Sequence, residues 1–251
     1  MHITLRDISK KFKSNIVFKN LNIDIQSDSI YCLLGSNGAG KSTIINLLAN
    51  LTEPEEGAIL IDGKTFAKHE LSLKKTIGLQ SQYNQLIEEL NAYDYLHFVG
   101  LLYGMRETEL HSQIQNLFDY FFDDKEKLKK SIKTFSSGMK KKISICAALV
   151  NKPQLLLLDE PFANLDPSAC ARLCSLIKKY RTNNRIILIS SHDLLYVDQI
   201  ATNIGILEQG ELVFNDTLDI FKNNSKNDLG TSLLKYLSPK AENNIALDKI
   251  I

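Results

Sequence analysis

The sequence has no tryptophan, only five prolines and four cysteines among its 251 residues, and no long apolar run. Its longest apolar stretches, such as Leu155 to Leu158, fall far short of the roughly 20 residues that a membrane-crossing helix requires, so no bilayer-spanning segment is expected. Charge of one sign is missing as well. Thirty Lys and Arg against 29 Asp and Glu leave a formal net charge of +1, which gives no overall field to hold nucleic acid or an anionic membrane. Partners must be recognised locally, and no nucleic-acid partner is expected. The amino terminus, Met1-His2-Ile3-Thr4-Leu5-Arg6-Asp7, alternates like a strand and lacks the basic-then-apolar pattern of an export signal, which points to the cytoplasm. Cys32, Cys146, Cys170 and Cys174 contain no Cys-x-x-Cys pair of the redox or zinc type. Cys170 and Cys174 share a helix face without a nearby His or Cys partner, so all four read as buried small hydrophobes.

What is present suits one large domain, or a core with a smaller subdomain. Short alternating segments occupy the first sixty or so positions, including Leu21 to Ile25 and Ala58 to Ile61 before the hairpin signal Asp62-Gly63. They predict an antiparallel sheet at one edge. Between them lies Ile30-Tyr31-Cys32-Leu33-Leu34, a continuous apolar run of the kind buried on both faces of a parallel sheet. Leu155 to Leu158 and Ile186 to Ile189 repeat that character, each followed by polar residues and then helical patterning, which predicts an α/β core. From about Asn91 to Lys133 the spacing is helical instead, with Tyr95, Phe98, Val99 and Leu102 on one face. The mixed-sign stretch from Lys125 to Lys133 reads as a solvated helix face. After Gly210 the chain runs through Glu211-Leu212-Val213-Phe214 into a polar tail with Asn223-Asn224-Ser225 and Glu242-Asn243-Asn244. Its one amphipathic stretch, around Leu233, Leu234 and Leu237, is expected to dock loosely.

Chemistry concentrates at three strand ends. Gly35-Ser36-Asn37-Gly38-Ala39-Gly40-Lys41-Ser42-Thr43 is a phosphate-binding loop, placed after an apolar strand and before a helix expected from Thr43 to Leu51. Glycines let the backbone curl so that N–H groups point inward, and the helix amino terminus adds partial positive charge. Lys41 would reach the β- and γ-phosphates, and Ser42 would ligate magnesium. Leu155 to Glu160 is a buried strand ending in two carboxylates at the crevice edge of such a sheet. Asp159 is the candidate for holding magnesium, and Glu160 for orienting the attacking water. Pro161 leaves a second reading open, an acidic cap on a following helix. His192, in Ser190-Ser191-His192-Asp193, falls at the same crevice edge and is a further catalytic candidate.

Together these residues resemble the ATP-binding cassette ATPases, the nucleotide-binding subunits of ABC transporters, over nearly the whole chain up to about Leu218. The specific element is Phe135-Ser136-Ser137-Gly138-Met139, which looks like the family's signature sequence opening a helix. The resemblance implies a P-loop core with a mostly parallel sheet, an antiparallel β subdomain and an inserted helical subdomain at about 83–137. It implies a cassette over 1–221 and a carboxy-terminal tail over 222–251.

By the same resemblance, ATP and Mg²⁺ are bound, two sites are shared across a head-to-tail homodimer or heterodimer, and Ser136 and Gly138 contact the partner's γ-phosphate. The family usually has glycine at the position of Ser137, so altered packing of that loop is expected, with binding preserved. Gln82 corresponds to the glutamine that joins core to helical subdomain and touches magnesium and water; Gln80 competes for that role. Phe12 corresponds to the aromatic that stacks on adenine, though an ordinary edge-strand residue reads equally well. Asp166, in Ala163-Asn164-Leu165-Asp166, corresponds to the loop that crosses the dimer interface.

The implied function is ATP hydrolysis that drives separate transmembrane permease subunits, with the chain peripheral on the cytoplasmic face of the membrane. The Ser-x-Gly-Met-Lys form of the signature leans towards export. A soluble cassette ATPase acting in cofactor assembly is the alternative. A GTPase should show Asn-Lys-x-Asp, and Asn151-Lys152-Pro153-Gln154 lacks the aspartate.

Overall fold

The computed structural model describes residues 1–83, 85–182, 184–223 and 229–237. The predicted polar tail at 224–228 and 238–251 lies outside the described residues.

The chain begins with β1 (His2–Phe12) and β2 (Asn15–Gln26), which pair antiparallel, and β1 also pairs with β4 (Glu56–Ile61). These form a sheet of their own, in the order β2-β1-β4, rather than an edge of the main one. Asp62-Gly63 makes the tight turn its sequence signals, both residues at positive φ and Ile61 and Lys64 exchanging backbone hydrogen bonds. No second hairpin strand follows, because Thr65 opens helix α2 (Phe66–Lys74).

The main sheet is built from β3 (Ser29–Gly35), β5 (Ile77–Gln80), β6 (Leu155–Asp159), β7 (Ile186–Ser190), β8 (Asn203–Glu208) and β9 (Glu211–Thr217), in the order β5-β6-β7-β3-β8-β9. All neighbours are parallel except β8 and β9. Parallel pairing brings the carboxyl ends of β3, β5, β6 and β7 to one edge, the place where such sheets bind ligands. Side-chain alternation divides the core between two faces. Cys32, Leu156, Leu158 and Ile187 join the cluster under the helical subdomain, whereas Tyr31, Leu33, Leu157 and Leu188 face the small sheet and helix α1 (Lys41–Leu48).

Helix α1 starts earlier than its pattern suggests and stops earlier too. Gly40 is its N-cap, and Asn50, at φ 53°, ends it through Asn50 N–H to Leu47 O and Leu51 N–H to Asn46 O. Those paired bonds are the αL closure that asparagine tolerates.

The inserted segment contains α3 (Ala92–Leu102), α4 (Glu107–Phe121) and two 3₁₀ turns, Glu126–Lys129 and Ile132–Thr134, before α5 (Ser137–Leu149). The face expected to bury Tyr95, Phe98, Val99 and Leu102 is rotated: Ala92, Tyr95, Leu96 and Gly100 are buried, while Phe98 and Leu102 are exposed. Gly100 sits on the buried face close against α4, where a Cβ would fall 2.2 Å from the Leu110 side chain. Along Lys125–Lys133 the lysines are solvated as expected, pairing with Asp119, Asp124 and Glu126, but on 3₁₀ turns anchored by buried Leu128 and Ile132.

Helices α6 (Pro167–Tyr180) and α7 (Leu194–Ile200) flank β7, and α8 (Leu218–Asn223) and α9 (Leu229–Leu237) end the described chain. The expected boundary between 221 and 222 therefore falls inside α8. Nor is α9 loosely docked. Leu233 is buried in the main core, and the Tyr236 ring lies 5.6 Å from Phe214 and 5.8 Å from Phe221. The four cysteines are free and buried, as expected. Burial pushes their thiols up, Cys174 to about 11, which keeps them protonated and inert. No described helix is long and apolar enough to cross a membrane.

Candidate active site

The turn between β3 and α1 is wrapped tightly around Gly40, whose φ of 107° disfavours a side chain and whose Cβ would meet the Phe18 ring at 2.5 Å. Lys41, the first residue of α1, folds back so that Nζ donates to the carbonyls of Gly35 at 2.8 Å and Ser36 at 3.0 Å. It is 7% exposed. Burial pushes its ammonium below the usual lysine range, an effect that the Glu160 and Asp159 carboxylates oppose. A buried cation at a helix amino terminus, among inward-facing N–H groups, is built for an anion.

A cavity of ≈ 320 Å³ opens over this turn. Asn37, Gly38, Gly40, Lys41, Ser42 and Thr43 form one wall; Gln82 and Glu160 close another, and Val17 supplies an apolar side. Gly35, Ser36 and Ala39, expected among the ATP contacts, do not line it. Ala39 is buried in the core, and Ser36 Oγ donates to Glu208 Oε2 at 3.0 Å.

At the end of β6, Asp159 is buried and accepts a hydrogen bond from Ser190 Oγ on the adjacent strand. Glu160 turns left-handed, at φ 49°, and its N–H donates to Ser190 O at 3.1 Å and Ser190 Oγ at 3.0 Å. One serine thus orients both acidic residues. The chain then makes a turn over Pro161–Asn164 and enters α6 only at Pro167, so the reading of Glu160 as a helix cap is excluded. His192, exposed beyond β7, places Nδ1 2.9 Å from Glu160 Oε2.

The resemblance favours Gln82 over its competitor Gln80. Gln80 is fully buried, with Nε2 donating to the Asp159 carbonyl at 3.1 Å, whereas Gln82 lines the cavity. Phe12 ends β1 half-exposed, with Lys10 Nζ 5.0 Å from its ring centroid, and does not line the cavity.

Ser136 caps α5, its Oγ accepting from Met139 N–H at 3.3 Å, which leaves its own proton free to donate elsewhere. Gly138 packs so closely that a Cβ would lie 2.8 Å from Asn164 O. Ser137 is exposed at the first helical position of α5. Neither Ser136 nor Gly138 reaches the cavity over Lys41. Asp166 caps α6 by accepting from Ala169 N–H at 2.9 Å, and that bond holds its carboxyl below the usual range.

Three participants were not legible as site residues: Ser190, Val17 and Lys141. Lys141 is buried, and its Nζ donates to the Glu160 carbonyl at 3.1 Å. Burial lowers its ammonium pKa, against the pull of Asp159 and Glu160. In sequence it is the middle member of Lys140-Lys141-Lys142.

The metal candidates Ser42, Gln82 and Asp159 offer only oxygen donors. That set fits a hard cation such as Mg²⁺ and not zinc or copper. Among the described residues there is no group of three or more His, Cys, Asp and Glu that could hold an ion.

Comparison with known proteins agrees with this geometry. Residues 18–163 match the ABC transporter family. Over 217 residues the chain is 30% identical to the lantibiotic transport ATP-binding protein SrtF of Streptococcus pyogenes, covering 86% of this chain and 91% of that protein. It is 32% identical over 207 residues to the linearmycin resistance ATP-binding protein LnrL of Bacillus subtilis, covering 82% of this chain and 66% of that protein. A solved structure of an ATP binding subunit of an ABC transporter superposes with a TM-score of 0.87 at 27% identity, covering 94% of this chain and 99% of that one. On the match over more than half of its length and the likeness to SrtF across nearly all of both proteins, the chain belongs to the ABC transporter family of ATP-binding proteins.

Proposed function

We propose that the chain is the ATP-binding and ATP-hydrolysing subunit of an ABC exporter, working as a pair of cassettes against separate transmembrane subunits. The observation that carries this reading is the single cavity where Lys41, Ser42, Gln82 and Glu160 converge while Ser136 and Gly138 stay outside it. A phosphate held by Lys41 and the turn N–H groups lies within reach of Glu160, whose carboxylate can orient water for in-line attack. Ser136 and Gly138, at the amino terminus of α5, are left to engage the γ-phosphate on a second copy. Phe12 lies on the strand that borders Val17 and is retained as the adenine contact.

Mg²⁺, held by Ser42, Asp159 and Gln82, would neutralise charge on the β- and γ-phosphates. The helical subdomain is assigned to 83–137, and the cassette, expected over 1–221, is extended to take in the whole of α8 and α9, which packs on Phe214 and Phe221.

An apolar groove of ≈ 510 Å³ between the core and α3, with Leu51, Leu71, Val99, Leu102 and Tyr103 on its walls, is the proposed seat for the permease subunit. Export fits the antibiotic chemistry in the names of SrtF and LnrL. Such a subunit sits peripherally on the cytoplasmic face of the membrane.

Affinity purification from detergent-solubilised cells, with a photo-crosslinker at Leu102, tests the reading. Recovery of an integral membrane protein crosslinked at that position is expected. Recovery of soluble assembly factors alone, with the chain absent from membranes, would favour the cofactor-assembly alternative.

A further inference from the structure

The three lysines of Lys140-Lys141-Lys142 have separate fates. Lys140 pairs with Glu88 at 2.6 Å, and Lys142 lies over the Phe122 ring at 4.8 Å. Lys141 turns inward and is 2% exposed. Burying an ammonium is costly unless it is paired and hydrogen-bonded, and an apolar side chain would fill the same volume without that cost. Its partners give the reason for a lysine. Nζ donates to the carbonyl of Glu160, which among the described residues otherwise accepts the 3.4 Å turn bond from Ala163 N–H.

The Glu160 residue is therefore gripped from two sides. Its N–H is fixed by Ser190 of β7, its C=O by Lys141 of α5, and between them it holds a left-handed φ of 49°, a conformation uncommon for a glutamate. One turn earlier on the same face of α5, Gly138 rests against Asn164 O, in the turn that follows Glu160. The helix opened by Ser136 is thus seated directly on the segment that carries the catalytic carboxylate.

We propose that Lys141 is a positioning residue that couples a chain's own signature helix to its own Glu160. A phosphate contact made by Ser136 and Gly138 at the partner's site shifts α5, and Lys141 transmits that shift to the carboxylate of the other site. The proposal rests on the ATPase reading above and adds a route by which two shared sites sense each other.

Steady-state ATP hydrolysis by purified K141M and K141R tests it. K141M, close to isosteric but unable to donate, is expected to lose kcat by about 10- to 100-fold, with KM and fluorescent-nucleotide affinity within about 2-fold of wild type. K141R keeps a donor and should recover most of kcat. K141Q, too short to reach the carbonyl, carries the expectation of K141M should that variant fail to fold.

Mixed dimers separate positioning within a chain from an effect on the partner. K141M paired with E160Q should be inactive, because the only remaining Glu160 lacks its lysine. The double variant K141M/E160Q paired with wild type should retain about half the activity, since one intact site remains. The reverse pattern, or K141M with wild-type kcat, would overturn the role of Lys141. Hydrolysis absent from the wild-type protein itself would overturn the ATPase reading as well, which distinguishes the two failures.

Discussion

The Nδ1 atom of His192 lies 2.9 Å from Oε2 of Glu160, so an exposed imidazole from the end of β7 holds a largely shielded carboxylate from the end of β6. Contact across two strands fixes the acidic side chain from its outer side while Ser190 fixes its backbone from beneath. Glu160→Gln should keep the shape of the site but remove the charge that polarises water. The expected outcome is retained ATP binding, turnover reduced by at least about 100-fold, and a dimer trapped by ATP on gel filtration. Unchanged turnover would remove Glu160 from its role. His192→Ala should lower kcat by about 10-fold or more while leaving nucleotide affinity near wild type.

Among the described residues, Lys41 is the only lysine lining the cavity. Its two bonds to Gly35 and Ser36 carbonyls are ones a phosphate can replace, at a gain expected of a charge-assisted contact. Lys41→Ala should weaken ATP binding by roughly 10- to 100-fold, the equivalent of about 1.5–3 kcal/mol, as read by calorimetry. Because burial disfavours the Lys41 cation in the fold, the same substitution should not lower the melting temperature measured without nucleotide. A large loss of stability together with unchanged affinity would show that the lysine serves the turn and not the nucleotide.

Asp166 joins folding to pH. Its carboxylate accepts the Ala169 N–H and its pKa is depressed by that bond, so its stabilisation is present above the unfolded-state value near 3.8. As pH falls through the lower folded value that stabilisation is lost. Asp166→Ala should cost about 1 kcal/mol at neutral pH, as for other helix N-caps, and the gap from wild type in chemical denaturation should close on acidification. A gap that is constant down to strong acid would contradict the cap.

Gly138 and Ser137 are adjacent and should respond in opposite ways. Gly138→Ala places a Cβ 2.8 Å from Asn164 O, a backbone atom that cannot rotate away, so the start of α5 must move. ATP turnover should fall while single-chain nucleotide affinity stays within about 2-fold. Ser137→Gly, at an exposed helix-opening position, should leave turnover unchanged. Equal effects of the two substitutions would indicate that loop flexibility matters more than the contact with Asn164.

Those parts of the molecule that impose an unusual demand on sequence were legible in it. A strand buried on both faces must be continuously apolar, which made β3, β6 and β7 readable, and a turn that curls around phosphate requires glycines at set intervals. Strands β5, β8 and β9 went unread for a physical reason. Ile77–Gln80 is short and contains Gly78, forced by the Ala148 carbonyl that a Cβ would meet at 1.9 Å. In β8, Gly205 makes room for the Tyr31 hydroxyl, which interrupts the apolar run. Strand β9, at the sheet edge, alternates weakly and resembles a loop. Lys141 and Ser190 were invisible for another reason: their roles arise from neighbours distant in sequence, and a lysine run carries no local sign that one member points inward.

Phe214 of β9, Phe221 of α8 and Tyr236 of α9 pack ring against ring, the first two 5.0 Å apart. β9 pairs with β8, and β8 with β3, whose last residue is Gly35 at the mouth of the phosphate turn. Only two hydrogen-bonded strand neighbours thus separate this aromatic knot from the nucleotide. The chain contains no tryptophan, so Tyr236→Trp would install a single tryptophan, excitable apart from the tyrosines, on the far side of that relay. Its emission could follow, in real time and without a dye, how the sheet responds each time a nucleotide arrives and leaves.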